Sequence, residues 1–119
     1  AYPLGGRYHM AHGVSNALML PHVMEWNKIA CVERMVSIAE QFGFNQLNVS
    51  AKYTADWVIV ALHRLCQDVR IPQGLRSFNI PEAALPQLAA EAIKVERLLR
   101  NNPRVLSEAD ILQIYQAAY

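Results

Sequence analysis

This 119-residue sequence predicts an all-α fold, a bundle of about five to seven helices. Three observations carry that prediction. Apolar residues recur at three- and four-residue spacing along most of the chain, the period of a helix face. Helix punctuation falls between those segments, with serine where a helix starts and glycine or proline where one ends. No stretch alternates apolar and polar residues in the manner of a half-buried strand. The sequence also carries no internal repeat and no low-complexity segment.

Size and charge narrow the function. A chain of 119 residues reads as one domain with a modest core. Eleven basic and ten acidic residues leave a net charge of +1, and the basic residues are scattered, which argues against a nucleic-acid surface. A hydrophobic content of 53% with 18% charged is rich for a small domain, so one face is expected to be covered by another body. No apolar run approaches the ~20 residues of a membrane-spanning helix. No secretory signal is visible, and the first residue is Ala rather than Met, so the true N-terminus is expected elsewhere. Cys31 and Cys66 fall inside predicted helices without CxxC spacing. They read as reduced, buried thiols of a cytoplasmic protein.

The elements follow in order. Pro3, Gly5 and Gly6 predict a loop able to approach a ligand or another backbone closely. A first helix is predicted from His12 or Gly13 to about Asn27, with a kink at Pro21, which lacks a backbone donor. Val14, Ala17, Leu18, Leu20, Val23 and Met24 cover nearly every side of its wheel, and Tyr8 to Met24 contains no charged residue. A helix apolar all round belongs in an interior. The loop before it would therefore deliver His9 and His12 to a buried entrance, and the face around Leu4, Met10, Val14 and Leu18 is expected to be a domain interface. A second helix is predicted over Lys28 to Phe42, through Val32, Met35, Val36, Ala39 and Phe42, ended by Gly43. A polar loop through Asn45 and Asn48 follows.

Ser50 is the expected N-cap of the longest helix, which reaches about Val69. Its buried stripe would hold Ala55, Val58, Ile59, Leu62, Leu65, Cys66 and Val69. Ile71-Pro72-Gln73-Gly74 breaks it. Asn79-Ile80-Pro81-Glu82 reads as a short helical start with proline in the first turn. From Pro86 a longer helix should run to about Leu99 through Leu88, Ala89, Ala92, Ile93 and Glu96, until Asn101-Asn102-Pro103 ends it. Ser107 to Asp110 is a capping box with Asp in the usual Glu or Gln place. The helix it opens sets Ile111, Ile114, Tyr115 and Ala118 on one face.

Several of these residues form a pattern. The run His12-Gly13-Val14-Ser15-Asn16-Ala17, with Leu20-Pro21-His22-Val23 and Asn27, resembles the iron-containing (group III) alcohol dehydrogenases. Ala1-Tyr2-Pro3-Leu4-Gly5-Gly6 is similar to the loop before that motif. Asn102-Pro103-Arg104 and the helix from Ser107 to Ala118 continue the likeness, so it spans essentially the whole chain. Members of that family are much longer and begin with a nucleotide-binding α/β domain. The resemblance thus implies that residues 1–119 are the metal-binding C-terminal helical domain of a dehydroquinate synthase-like fold, with the N-terminal nucleotide-binding domain absent.

The implied chemistry is reversible hydride transfer between an alcohol and NAD or NADP, assisted by Fe2+, with Zn2+ as the alternative. Taken alone, a histidine at a helix start is more often a backbone-bonded structural residue. The resemblance reverses that reading for His12, whose place in the family supplies one imidazole to the metal. The remaining ligands, an Asp and two His, have no counterpart in this chain. Tyr2 stands where many relatives carry a non-ligating His that faces substrate, and tyrosine there keeps a hydrogen-bonding group that does not titrate near neutral pH. Leu98 resembles a pocket-lining position, with core packing as the alternative. His9, one turn before His12, is a candidate for the same pocket or for loop packing. The His9/His12 pair lacks the glutamate of an HExxH site. His22 and His63 read as structural or solvent-facing.

No glycine-rich phosphate loop occurs, so the nucleotide would be bound mainly by the absent domain. That domain and a small alcohol or aldehyde are the expected partners, within a homo-oligomer. The segment alone is expected to be inactive, since one imidazole leaves an ion mostly hydrated. A zinc-dependent glycerol dehydrogenase or dehydroquinate synthase relative is a second reading, and Asn16-Ala17 after His12-Gly13 favours the iron type. A third is a non-catalytic helical interaction module that keeps the fold without the chemistry.

Overall fold

The computed structural model describes residues 1–44 and 47–119; Asn45, placed above in a polar loop, lies outside the described residues. Helix α1 spans Tyr2–Tyr8, where a loop was expected. Two glycines lower its intrinsic propensity. Tertiary anchoring overrides this, because Leu4 is fully buried in the main core. Pro3 sits in the first turn, where a missing N–H is tolerated. His9, in the left-handed region at φ 53°, closes the helix and donates its N–H to the Gly5 carbonyl at 3.1 Å.

Helix α2 (His12–Asn27) is apolar all round because it lies between two cores. Leu18 and Met19 enter a cluster with Leu4, Met10, Leu85 and Leu88, whereas Met24 packs on a second cluster built from Met35, Ala39, Val58 and Ile59. Leu20 stays exposed, so the helix is not interior on every side. The expected interface around Leu4, Met10, Val14 and Leu18 is corrected here. Leu4, Met10 and Leu18 are buried by the domain itself, since α1 folds across that face.

The helix runs on through Pro21. Proline has no N–H for the carbonyl four residues back, that of Ala17. The Cys66 thiol takes its place, donating to the Ala17 oxygen at 3.5 Å, and burial pushes that thiol's pKa up. Cys66→Ala removes this donor along with buried volume, and a loss of about 1–3 kcal/mol is expected. Urea unfolding of Cys66→Ala beside Cys66→Ser checks it, with the serine variant retaining part of the difference.

The predicted helix from Lys28 to Phe42 is divided. A 3-10 turn covers Lys28–Ala30, Cys31 leaves helical geometry at φ −143°, and helix α3 spans Val32–Gln41. The break is fixed from both sides. Lys28 Nζ lies 2.6 Å from both Glu25 and Asp56, and the Cys31 thiol donates to the Asn27 carbonyl. Those two carboxylates outweigh burial and raise the Lys28 pKa. Past α3, Gly43 adopts φ 79°, with Gly43 N–H to Glu40 and Phe44 N–H to Ala39 closing a Schellman motif.

Helix α4 (Ala51–Asp68) starts as expected at Ser50, whose hydroxyl accepts the Tyr53 N–H at 3.1 Å. It packs on α3 and α2 through Ala55, Val58, Ile59, Leu62 and Cys66. Leu65 and Val69, expected in that stripe, are 45% and 60% exposed. The C-terminal turn overhangs its partners before Ile71 turns back to donate to the Cys66 carbonyl. Phe42 is likewise half exposed, at the open end of α3.

The breaker at Ile71–Gly74 leads into a 3-10 turn, Leu75–Phe78, that docks on the chain end: the Leu75 N–H bonds the Ala118 carbonyl at 2.8 Å. A second 3-10 turn covers Glu82–Ala84 and feeds helix α5 (Leu85–Ala92), which carries Pro86 in its first turn. The single helix expected from Pro86 to Leu99 is split. Val95 leaves helical geometry, and a one-turn helix α6 spans Glu96–Leu99. Helix α7 (Glu108–Ala117) packs on α5 and begins with the expected capping box. Asp110 N–H reaches Ser107 Oγ at 3.2 Å, and Ser107 N–H reaches Asp110 Oδ2 at 2.8 Å. The result is seven α-helices with no strand among the described residues, in agreement with the predicted class.

Candidate functional site

The site forms where α1, the start of α2 and the turn around α6 converge. A cavity of about 440 Å3 there is lined by Tyr2, Pro3, His12, Asn16, Val95 and Leu98, among others. His12 is the first residue of α2, so its imidazole stands at a helix N-terminus with its side chain exposed. Its carbonyl accepts the Ser15 hydroxyl at 2.9 Å, which fixes the first turn without engaging the ring. The Tyr2 ring meets His12 edge-on, with centroids 5.7 Å apart and planes at 81°. Tyr2 is itself held by Arg97 of α6, whose Nη2 donates to the phenol oxygen at 2.9 Å.

Three of the four residues expected at the site therefore share one cavity: Tyr2, His12 and Leu98. His9 does not. It is exposed at the C-terminus of α1, with a left-handed backbone, and is not among the lining residues. The expected buried entrance is likewise corrected, since both imidazoles are exposed in this domain. The apolar walls come from Pro3, Ala92, Val95, Leu98 and Leu99, and the polar groups from Tyr2, His12 and Asn16. Behind Leu98 and Leu99 lies a smaller cavity of about 190 Å3 reaching Met19, Ile114 and Tyr115. Burial, and secondarily the charge of Glu91, pushes the Tyr115 pKa up to about 12, so this phenol stays neutral.

The sequence reading did not single out Arg97, Val95 or Leu99 for the site. Arg97 lies 95 residues from Tyr2, and no local pattern announces that contact. The Asn102-Pro103-Arg104 motif acquires a structural role. Asn27, 3% exposed, exchanges amide hydrogen bonds with Asn102 at 2.7 and 2.9 Å. Arg104 stacks 4.5 Å over the Trp26 ring and donates to the Trp26 carbonyl. These contacts tie the turn after α6 to the end of α2, and so hold the Leu98–Leu99 wall.

Among the described residues no group of three or more His, Cys, Asp or Glu side chains could hold an ion. His12 presents one imidazole, a nitrogen donor of the kind divalent metals accept, to that cavity.

The other two histidines pair elsewhere. His22 of α2 and His63 of α4 meet edge-on with centroids 5.2 Å apart. Burial, then the charge of His63, lowers the His22 pKa below the ordinary 6.5. The fold thus favours neutral His22. Its contribution is fully present above pH ~6.5 and is lost as pH falls through the lowered folded value. The urea midpoint is expected to drop on acidification from pH 7 to 5, and less steeply in His22→Gln.

Comparison with known proteins agrees with this architecture. The family model described as "Fe-containing alcohol dehydrogenase family, C-terminal" matches residues 1–119. The chain belongs to that family. It is 44% identical over all 119 residues to long-chain-alcohol dehydrogenase 1 of Geobacillus thermodenitrificans (strain NG80-2), covering 30% of that protein. It is 36% identical over 118 residues, 99% of the chain, to the NAD-dependent methanol dehydrogenase of Bacillus methanolicus, covering 31% of it. The structure of an alcohol dehydrogenase from Oenococcus oeni superposes with a TM-score of 0.92 at 35% identity, over 99% of this chain and 30% of that one. The chain thus spans about a third of the length of the relatives it matches. No helix among the described residues is long and apolar enough to cross a membrane.

Proposed function

We propose that residues 1–119 form the metal- and substrate-binding part of an NAD(P)-dependent, iron-type alcohol dehydrogenase. The observation that carries this reading is the cavity in which His12, at a helix N-terminus, faces Tyr2 and an apolar wall containing Leu98. A nucleotide-binding domain is the proposed partner, and it would contribute the cofactor site and the other metal ligands. The cytoplasm, a homo-oligomeric state and a small alcohol or aldehyde substrate belong to the same proposal.

Each group has a task. His12 would hold Fe2+ as one of several ligands, with Zn2+ as the alternative. A divalent ion bound there supplies Lewis acidity at the substrate oxygen. Pro3, Val95 and Leu98 exclude water from the alkyl part of the substrate, and Tyr2 and Asn16 offer polar contacts to its oxygens. His9 has no part in this arrangement.

The test is made on the full-length gene product. Metal analysis after dialysis in the presence of Fe2+ or Zn2+ should find about one tightly held ion per chain. NAD(P)-linked turnover of primary alcohols should accompany it and disappear on chelation. Alcohol turnover that survives complete metal removal would refute the reading.

A further inference from the structure

His22 and His63 play no part in the His12 cavity, yet the fold sets them side by side. They stand on α2 and α4, two helices that pack on each other, and both are half-buried. Among the described residues no hydrogen bond or ion pair engages either ring. None of their nitrogens is a sealed, unpaired atom, so solvent reaches them. The spacing of the rings is that of two ligands to one ion. Imidazoles bound to a shared tetrahedral ion, each nitrogen ~2.0–2.1 Å from it, hold their ring centroids about 5 Å apart. The observed separation is 5.2 Å, with the planes at 80°. Burial, then the charge of His63, favours uncharged His22, which is the form that ligates.

The other donors nearby are already committed. Cys66, one turn along α4 from His63, donates to the Ala17 carbonyl, and Glu25, one turn along α2 from His22, is held by Lys28 at 2.6 Å. Water would therefore fill the remaining positions on the ion, and a cavity of about 320 Å3 beside His22 gives it room.

We propose that His22 and His63 together bind one Zn2+ between α2 and α4, at a site separate from the His12 cavity. His22 lies ten residues along α2 from His12, about 15 Å at the rise of a helix. Zn2+ is the ion that matches, because imidazole suits it and it favours tetrahedral geometry. The unfolded chain does not hold the two rings together, so the ion stabilises the folded pair of helices.

The experiment titrates Zn2+ into the untagged, metal-free full-length gene product and into His22→Gln and His63→Gln, counting bound zinc by equilibrium dialysis and measuring the urea midpoint. The wild type should bind one ion more than either variant, and the rise of its midpoint with zinc should shrink in both. That difference of one ion is expected whether or not His12 holds a metal, so it is read apart from alcohol turnover. Zinc-soaked crystals of the wild type give a second readout that needs no variant to fold. An anomalous peak is expected ~2.0–2.1 Å from one nitrogen of each ring. Equal zinc content in the wild type and both variants, or no peak between the two rings, overturns the proposal.

Discussion

In the full-length gene product, replacing His12 with alanine is expected, on the proposed metal-binding role, to abolish tight metal binding and alcohol turnover together while leaving the helices intact. The imidazole is exposed and makes no side-chain hydrogen bond among the described residues, so its removal withdraws little from the core. Surface changes of that kind usually move stability by no more than about 0.5 kcal/mol. The functional loss has another scale. Outer-shell partners of a ligating histidine already alter metal affinity by ~10–100-fold, and removing the ligand should exceed that. Metal content after dialysis, the NAD(P)-linked rate and far-UV circular dichroism, measured on one preparation of His12→Ala, read the three quantities at once. Normal metal occupancy with an intact fold would return His12 to the status of an ordinary helix-start histidine.

Leu4→Ala should have the largest effect on stability. Leu4 is fully buried and is the anchor of a helix that contains two glycines. Truncating a buried leucine costs about 2–5 kcal/mol, from lost transfer energy and the cavity left behind. A seven-residue helix has little stability of its own, so the loss should concentrate in α1. Tyr2 sits at its first turn and would lose its place beside His12 and Arg97. A urea midpoint lowered by an amount in that range, with faster amide exchange across Gly5 to Tyr8, is the expected result. Leu4→Met, close in volume, should recover most of it.

These expectations show which parts of the molecule the sequence disclosed. Ser50 and Ser107 identified two helix starts because capping is decided within three residues. Gly43 marked a helix end for the same local reason. The first helix was not legible, because glycines and a proline argue for a loop until Leu4 finds its place in the core. The division of the segment from Pro86 to Leu99 was hidden similarly, since no glycine or proline marks the break at Val95. A helical wheel identifies which residues share a face but not how far the partner extends. For that reason Leu65 and Val69 look buried in the sequence and are not in the structure.

The site shows the same division. His12, Tyr2 and Leu98 came from family resemblance, and the fold brings all three to one cavity. His9, which closes α1 in the left-handed region, is not among that cavity's lining residues. The pairing of Asn27 with Asn102 and of Arg97 with Tyr2 joins opposite ends of the chain, which periodicity cannot reveal. One conclusion drawn from composition needs relocating. A covering body was inferred from the apolar content, but the face first assigned to it is this domain's own core. The exposed apolar side chains lie instead at positions such as Ile29, Val60 and Val105.

The central claim is that His12 supplies one ligand to a catalytic divalent metal shared with the rest of the protein. Anomalous diffraction from crystals of the full-length gene product grown with Fe2+ or Zn2+ tests it most directly. An anomalous peak is expected about 2.0–2.2 Å from a ring nitrogen of His12, on the cavity side facing Tyr2 and Leu98. A metal with a complete ligand set that leaves His12 outside bonding distance would contradict the claim.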